Sequence, residues 1–291
     1  MDFFTLYILF YRDGRMKQNR KWAGIALLLI SISFVTFFLF KTQELLFSSS
    51  SRNSDFEIDY ETLEINRSYF PDNPDRGIEI NLNFPIFSNV EEDSFVMHIQ
   101  SQTMEELCMG NDCQIFADNL IDGFKEKITD EPDWEQGYMG YGIEEIDYHA
   151  QVKYCHYGLL SIGIYKYEYT GGAHGMATIQ FYNYDLSSQK QLLLEDLFYG
   201  SYKEIIEEIA TRTLKAQHDL NADASLTEAG FFVDTLQLTE NFHLSDTHIR
   251  FIYNTYEIAP YYMGETEITI PYNEIRSWIP DSSPLKRIML R

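Results

Sequence analysis

From Trp22 to Phe40 the chain reads WAGIALLLISISFVTFFLF, nineteen residues without a charge, close to the roughly 20 apolar residues an α-helix needs to cross a bilayer. Such a run is longer than the core of an ordinary secretion signal. Arg12, Arg15, Lys17, Arg20 and Lys21 crowd its amino-terminal side, so the positive-inside rule places residues 1–21 in the cytoplasm as a basic tail and 22–40 across the membrane as a signal anchor. A cleaved leader is the rival reading: Ser48 to Ser51 supply small residues, but no A-x-A site follows the apolar run. The first cysteine is Cys108, too distant for a lipid-attachment site. Met16 opens MKQNRKWAGIALLL, a more ordinary start for an export segment than the residues from Met1.

Beyond the apolar run the chain is strongly acidic. Of its 22 basic and 45 acidic residues, six basic and two acidic precede residue 42, which leaves 16 against 43 beyond it, a net charge of −27. That field repels nucleic acid and anionic lipid, and it favours encounter with a basic partner. Residues 41–55, KTQELLFSSSSRNSD, are polar and serine-rich and suit a short linker. Aromatic content of 15% supplies ample core material for the rest.

Strand-like alternation is expected at Ile78–Phe87, Ser94–Gln100, Glu144–Tyr154, Leu159–Tyr169 and Ala177–Tyr184, the last three as an antiparallel meander. In CQIFADNLIDGFKEK, Phe116, Leu120, Ile121 and Phe124 form a helical stripe. Ser201 to Glu204, SYKE, is a capping-box pattern that opens a helix carrying Ile205, Ile206, Ile209 and Leu214. NFHLSDTHIRFIYN predicts a hairpin turning near Ser245 and Asp246, followed by a strand in ETEITIPY and a short helix over Asn273–Trp278. Helices inserted between strand runs predict an α+β fold. Two consecutive small modules of antiparallel sheet with packed helices are expected, 56–170 and 171–291, preceded by the transmembrane helix.

Three cysteines are too few for a disulfide scaffold. In CMGNDC, Cys108 and Cys113 are close enough to pair in an oxidising compartment, and free thiols fit the spacing about as well. A metal there would need more ligands than the intervening Asp112. Two local signatures stand out. In YTGGAHG, Tyr169–Gly175, Gly171 and Gly172 permit positive torsions and His174 follows where it could face a cleft. A catalytic histidine needs a nucleophile or carboxylate, yet no G-x-S-x-G, H-E-x-x-H or Cys-His pattern accompanies it; a structural histidine at a tight turn is the plainer reading. In YNTYEIAPYYMGETEITIPY, Tyr256, Tyr261 and Tyr262 gather around Glu257 and Pro260. Rigid amphipathic rings beside a carboxylate suit a protein or glycan interface, and equally a tyrosine-lined core edge.

Taken with FYNYDLSSQKQLLLEDLF and the NEI that ends the second motif, these runs resemble the RsiV-like ectodomain family, which includes lysozyme-sensing anti-sigma ectodomains and the non-catalytic amino-terminal module of PdaC-type peptidoglycan deacetylases. The resemblance covers roughly Phe56 to Ile279. It implies an extracytoplasmic α+β domain that binds lysozyme or a similar basic envelope protein; with the apolar run, the expectation is a single-pass protein of the bacterial cytoplasmic membrane that needs no cofactor. Residues 1–21 are too few for a folded sigma-factor-binding unit, and no metal-binding deacetylase domain follows. The expectation is therefore a binding module and not an enzyme, its candidate ligand residues being Gly171, Gly172, His174, Tyr256, Glu257, Tyr261 and Tyr262. Peptidoglycan is the alternative ligand, and a hydrolase using His174 the second alternative.

Overall fold

Long runs that alternate Ile, Leu, Phe and Tyr with polar residues build most of a six-stranded sheet in the computed structural model, which describes residues 58–71, 76–88, 95–130 and 142–290. The strands are β1 (Asp59–Tyr69), β2 (Arg76–Ser88), β3 (Gly142–His156), β4 (Leu159–Tyr169), β5 (Met176–Asp185) and β6 (Lys190–Leu192), in that spatial order. Strands β3, β4 and β5 form the antiparallel meander. Strands β2 and β3, however, run parallel, which departs from a purely antiparallel sheet. The segment between them carries helices α1 (Phe95–Cys108) and α2 (Cys113–Asp130), and a crossover of that length returns the chain in its original direction. Strand β5 lies beyond residue 171 and pairs along β4, so this sheet takes strands from both sides of that position.

The strand expected over Ser94–Gln100 is corrected to helix from Phe95 onward, Ser94 lying outside the described residues. Its seven residues alternate, but over the full length of α1 the buried side chains Ile99, Thr103 and Leu107 recur every fourth residue, and the longer period prevails. Helices α1 and α2 cover one face of the sheet, where Ile99, Leu107, Phe116 and Phe124 pack with Ile80, Leu82, Ile146 and Ile162. A disulfide joins Cys108 to Cys113, with Cα atoms 5.2 Å apart, and clasps the turn between the helices. Cys155 is buried in the same core, and burial pushes its thiol up to about 11.

A second core forms around α3 (Tyr202–Gln217) and a three-stranded antiparallel sheet of β7 (Phe242–Leu244), β8 (His248–Tyr253) and β9 (Thr266–Pro271). Ile206, Ile209 and Leu214 of α3 pack with Ile249, Phe251, Ile268 and Ile270. Ser201 occupies the N-cap of α3, but its side chain makes no capping bond, so the box expected there does not form. Its backbone, at φ −84° and ψ 43°, lies outside the extended region from which a cap side chain reaches back. A complete box does form at Ser225 and Glu228. The turn expected near Ser245 and Asp246 joins β7 to β8, and Tyr272–Trp278 closes as two short helical turns.

The two sheets meet through side-chain amides. Asn241 Oδ1 accepts from Phe181 N at 2.9 Å while its Nδ2 donates to Ile179 O at 2.8 Å. Asn254 Oδ1 accepts from Ile179 N at 2.7 Å. Asn183 Nδ2 donates to Phe242 O at 2.7 Å, and its Oδ1 accepts from Ser161 Oγ, which in turn accepts from Leu244 N. Ser161, Asn183 and Asn241 are buried. The span expected at 22–40 lies outside the described residues; among those described, no helix is long and apolar enough to cross a membrane.

Because a buried backbone group left without its partner costs about 1–3 kcal/mol, Asn241→Ala should lower stability by about 2–3 kcal/mol in urea unfolding. Asn66→Ala, on an exposed position of β1, should change it by no more than about 0.5 kcal/mol. Equal, small effects for both would show that the seam is not held by these amides.

Candidate functional site

The two sequence signatures, Tyr169–Gly175 and Tyr253–Tyr272, meet in space. Gly171 (φ 102°) and Gly172 (φ 94°) turn the chain between β4 and β5 in backbone conformations that side chains disfavour. Gly172 O accepts from the Tyr169 hydroxyl at 3.1 Å. His174 Nδ1–H then donates to Gly175 O at 3.0 Å, and the imidazole stacks on Tyr261 with ring centroids 3.7 Å apart and planes 20° from parallel. Tyr261 rides on a single helical turn after Pro260, and Tyr256 lies 5.9 Å away. Asn254, already joined to β5, also donates to Glu257 Oε1 at 3.2 Å. His174, Tyr256 and Tyr261 thus form one aromatic rim with Glu257 at its base. Tyr262 turns its hydroxyl toward Gly230 and is 79% exposed.

Tyr256 has φ +71° and is 47% exposed. A bulky residue in the left-handed region stores roughly 1–2 kcal/mol, and here the conformation is held by Tyr256 N–H donating to Ala259 O and Glu257 N–H donating to Asn254 O.

Beside the rim lies a feature not anticipated from the sequence. Between the helix-free face of the six-stranded sheet and the three-stranded sheet is a cleft of about 590 Å³. Its floor crosses strands in register, with Gln151 opposite Gly163 and Gly163 opposite Phe181, then His149 opposite Tyr165. A Cβ on Gly163 would stand 2.6 Å from the Phe181 ring, so the glycine lets Phe181 lie across β4. His149 stacks on Tyr165 at 4.5 Å. The opposite wall carries His243, His248 and Arg250, with Glu265 and Glu267 at the mouth. The floor continues into a shallower hollow of about 270 Å³ lined by Asn66, Asn81, Asn83 and Asp147.

Protonation in the cleft is well defined. His248 Nε2 accepts from Arg250 Nε at 2.8 Å, so its proton resides on Nδ1 and is donated to Thr247 Oγ1 at 2.8 Å. His243, 8% exposed, packs on Phe181 and donates its Nδ1 proton to Leu244 O at 3.2 Å. Burial, then the nearby Arg250 charge, holds both imidazoles below the ordinary value of 6.5. Burial and neighbouring charges raise the Tyr165 and Tyr167 hydroxyls, with Tyr261 among the contributors to both. Among the described residues no cluster of His, Cys, Asp or Glu could hold a metal ion.

Comparison with known proteins matches residues 73–177 to the family model described as Deacetylase PdaC, and residues 195–273 to that of a protein of unknown function, DUF3298. The peptidoglycan-N-acetylmuramic acid deacetylase PdaC of Bacillus subtilis (strain 168) is 28% identical over 196 residues, which is 65% of this chain and 36% of that protein. The match thus spans about a third of its length. A solved DUF3298-family structure from Bacteroides fragilis NCTC 9343 superposes with a TM-score of 0.71 at 24% identity, covering 82% of this chain and 100% of the other. Another, from Pseudomonas aeruginosa PAO1, gives 0.53 at 22%, covering 76% and 94%. The expected relationship to the PdaC-type module is found, and the fold is shared with DUF3298 proteins.

Replacing Tyr256 by glycine should relieve about 1–2 kcal/mol of strain against an entropic cost of about 0.5–1 kcal/mol, so Tyr256→Gly should unfold in urea no earlier than wild type. A clear loss of stability would mean that the ring packs as core. Unfolded His243 protonates near 6.5 and folded His243 only at lower pH, so below that value the unfolded chain takes up more protons and stability falls with pH. His243→Phe should flatten this acid limb; an unchanged limb would remove His243 as its source.

Proposed function

We propose that the chain is an extracytoplasmic binding module of the bacterial envelope, anchored through residues 22–40, whose aromatic rim engages a basic envelope protein of the lysozyme-like hydrolase class. The observation that carries this reading is the rim itself: an ordered His174–Tyr261 stack with Tyr256 strained beside it and Tyr262 exposed. Aromatic groups already fixed in place lose little freedom on binding. The net charge of −27 beyond residue 41 steers a basic partner toward it. The RsiV-like resemblance supports lysozyme as the first ligand to try. The similarity to a deacetylase named for peptidoglycan supports the envelope setting. Direct binding of peptidoglycan by the same tyrosines is the competing reading, and hydrolysis through His174 a further one. For the latter, His174 is seen bonded to a carbonyl and stacked on a ring.

The described residues, which lie between 58 and 290, fall within one compact unit, and a chain of residues 46–291 can be titrated calorimetrically with an animal-type lysozyme at low and physiological salt. Saturable binding is expected to weaken at least about tenfold between the two, and Tyr261→Ala should weaken it by about tenfold more. No heat at either salt would sink lysozyme as ligand. Salt-independent binding of peptidoglycan fragments lost in Tyr261→Ala would transfer the rim to glycan.

A further inference from the structure

A sheet edge presents a row of backbone N–H and C=O groups to any extended chain, and folds blunt such edges with short strands, lysine, proline, bulges or a covering element. Most edges among the described residues are blunted in one of these ways. Strand β6 is three residues long and carries Lys190. Strand β7 gives outward groups to the seam, where Leu244 N donates to Ser161 Oγ and Phe242 O accepts from Asn183 Nδ2. Strand β9 ends in Pro271, and its Glu267 O accepts from Gln217 Nε2 of α3 at 3.4 Å.

Strand β1 has none of these protections. Its 11 residues contain no proline and no lysine, and they pair with β2 without a bulge from Asp59 opposite Ser88 to Tyr69 opposite Ile78. It stands at the end of the strand order, so no described strand adds to its outer side. Every second residue of such a strand turns its N–H and C=O away from the partner, along an edge of roughly 35 Å.

Backbone pairing accepts many extended chains, and the side chains of the edge select among them. Ile65 is buried against the helices and Leu63 packs on the same core, which sets exposed Glu61 on that face. Glu64 and Asn66 belong to the opposite face and line the hollow there. Among the described residues no base pairs with Glu61 or Glu64. The one base of the strand, Arg67, is already engaged: its Nε donates to Asp118 of α2 at 3.0 Å and its Nη1 to Asn66 O at 3.1 Å. Each face of the edge thus offers a carboxylate, the two spaced three residues apart. Opposite charges stabilise directly opposed residues of neighbouring strands and like charges destabilise them. A second copy of this chain, with its surplus of carboxylates, is opposed on that ground, and an extended basic segment is favoured.

We infer that the outer edge of β1 docks an extended basic peptide segment, which joins the six-stranded sheet as a further strand and sets lysine or arginine side chains opposite Glu61 and Glu64. Backbone hydrogen bonds supply the attachment and the two carboxylates the selection. The edge shares no residue with the rim, and either assignment can fail without the other.

The test is a titration of the full chain, solubilised in detergent micelles, into the fluorescently labelled peptide acetyl-TKVTKVT-amide, whose lysines carry the same spacing. Saturable binding is expected with Kd between about 10 μM and 1 mM, weakening several-fold between about 20 and 300 mM salt. Hydrogen exchange should slow over Asp59–Tyr69 when the peptide binds. Methylating both valine amides blocks one amide on each edge of the peptide, so one of them meets β1 in either register, and affinity should fall at least about tenfold. The double variant Glu61→Lys, Glu64→Lys should lose the lysine peptide and gain acetyl-TEVTEVT-amide, which the unaltered chain should not bind. That exchange of preference is not produced by misfolding, and the methylated peptide tests the pairing without any variant. Tyr261→Ala should bind the lysine peptide as the unaltered chain does. Absence of saturable binding would overturn the assignment, as would equal affinity for the methylated peptide or an unchanged preference in the double variant. Loss of the peptide in Tyr261→Ala would give it to the rim instead. Protection of β1 that is present without peptide and grows with protein concentration would give the edge to a second copy of this chain.

Discussion

Strand β5 is paired on its outer side by β6 only from Asn183 onward, which leaves the backbone groups of Ile179 and Phe181 facing the smaller sheet. Asn241 and Asn254 satisfy them with side-chain amides. An asparagine amide carries the same donor and acceptor as a peptide group, so it can complete a sheet edge without a strand being there. Direct strand pairing would hold the neighbouring backbone at about 4.8 Å and make the sheets continuous. The extra length of a side chain sets the second sheet further off than a paired strand would be. The cleft exists because of that separation, and the rim is tied to the same seam, since Asn254 also holds Glu257.

Much of the fold was legible because periodicity reports which face of an element is buried. The bounds expected for β4 coincide with those observed, and the stripes of α2 and α3 pack as their spacing implies. Periodicity failed where the window was short, as over Ser94–Gln100, whose residues fit two periods although α1 starts at Phe95. It was silent on β1, an edge strand with Ile65 its one buried side chain. It could not show that β2 and β3 run parallel, because alternation is the same in either direction. The rim was half legible: the tyrosines and His174 were singled out by composition and turn chemistry, but not their stacking. The cleft left a signal in Asp147, His149, Gln151 and Lys153, polar at every second position of β3. That pattern reads as a solvated sheet face until the position of the second sheet is known.

Ion pairs add to the ties between elements. Several basic side chains tie elements together: Arg67 to Asp118 at 3.0 Å, Lys127 to Glu144 at 2.6 Å, Arg212 to Glu274 at 2.9 Å, and Arg287 to Asp185 at 2.8 Å. Burial alone would raise the Asp185 carboxyl, but hydrogen bonds from Arg287 and Ser188 hold it below the usual carboxylate range. The exposed pairs contribute at most about 1 kcal/mol each. Each pair cancels one base against one carboxylate, so pairing leaves the net charge, and with it the field seen from a distance, unchanged.

Rim and cleft differ in what they ask of a ligand. The rim is raised and aromatic on an acidic molecule, so a large basic surface can reach it without entering the cleft. The cleft is recessed and balanced in charge, and its two neutral histidines suit hydrogen bonding over ion pairing. The two lie close together. Tyr261 stacks on His174 at the rim and lies near enough to Tyr165 and Tyr167 to influence both hydroxyls, and Tyr165 is part of the cleft floor. The His174–Tyr261 stack of the rim and the His149–Tyr165 stack of the cleft floor are separate ring pairs, so each site presents its own aromatic surface.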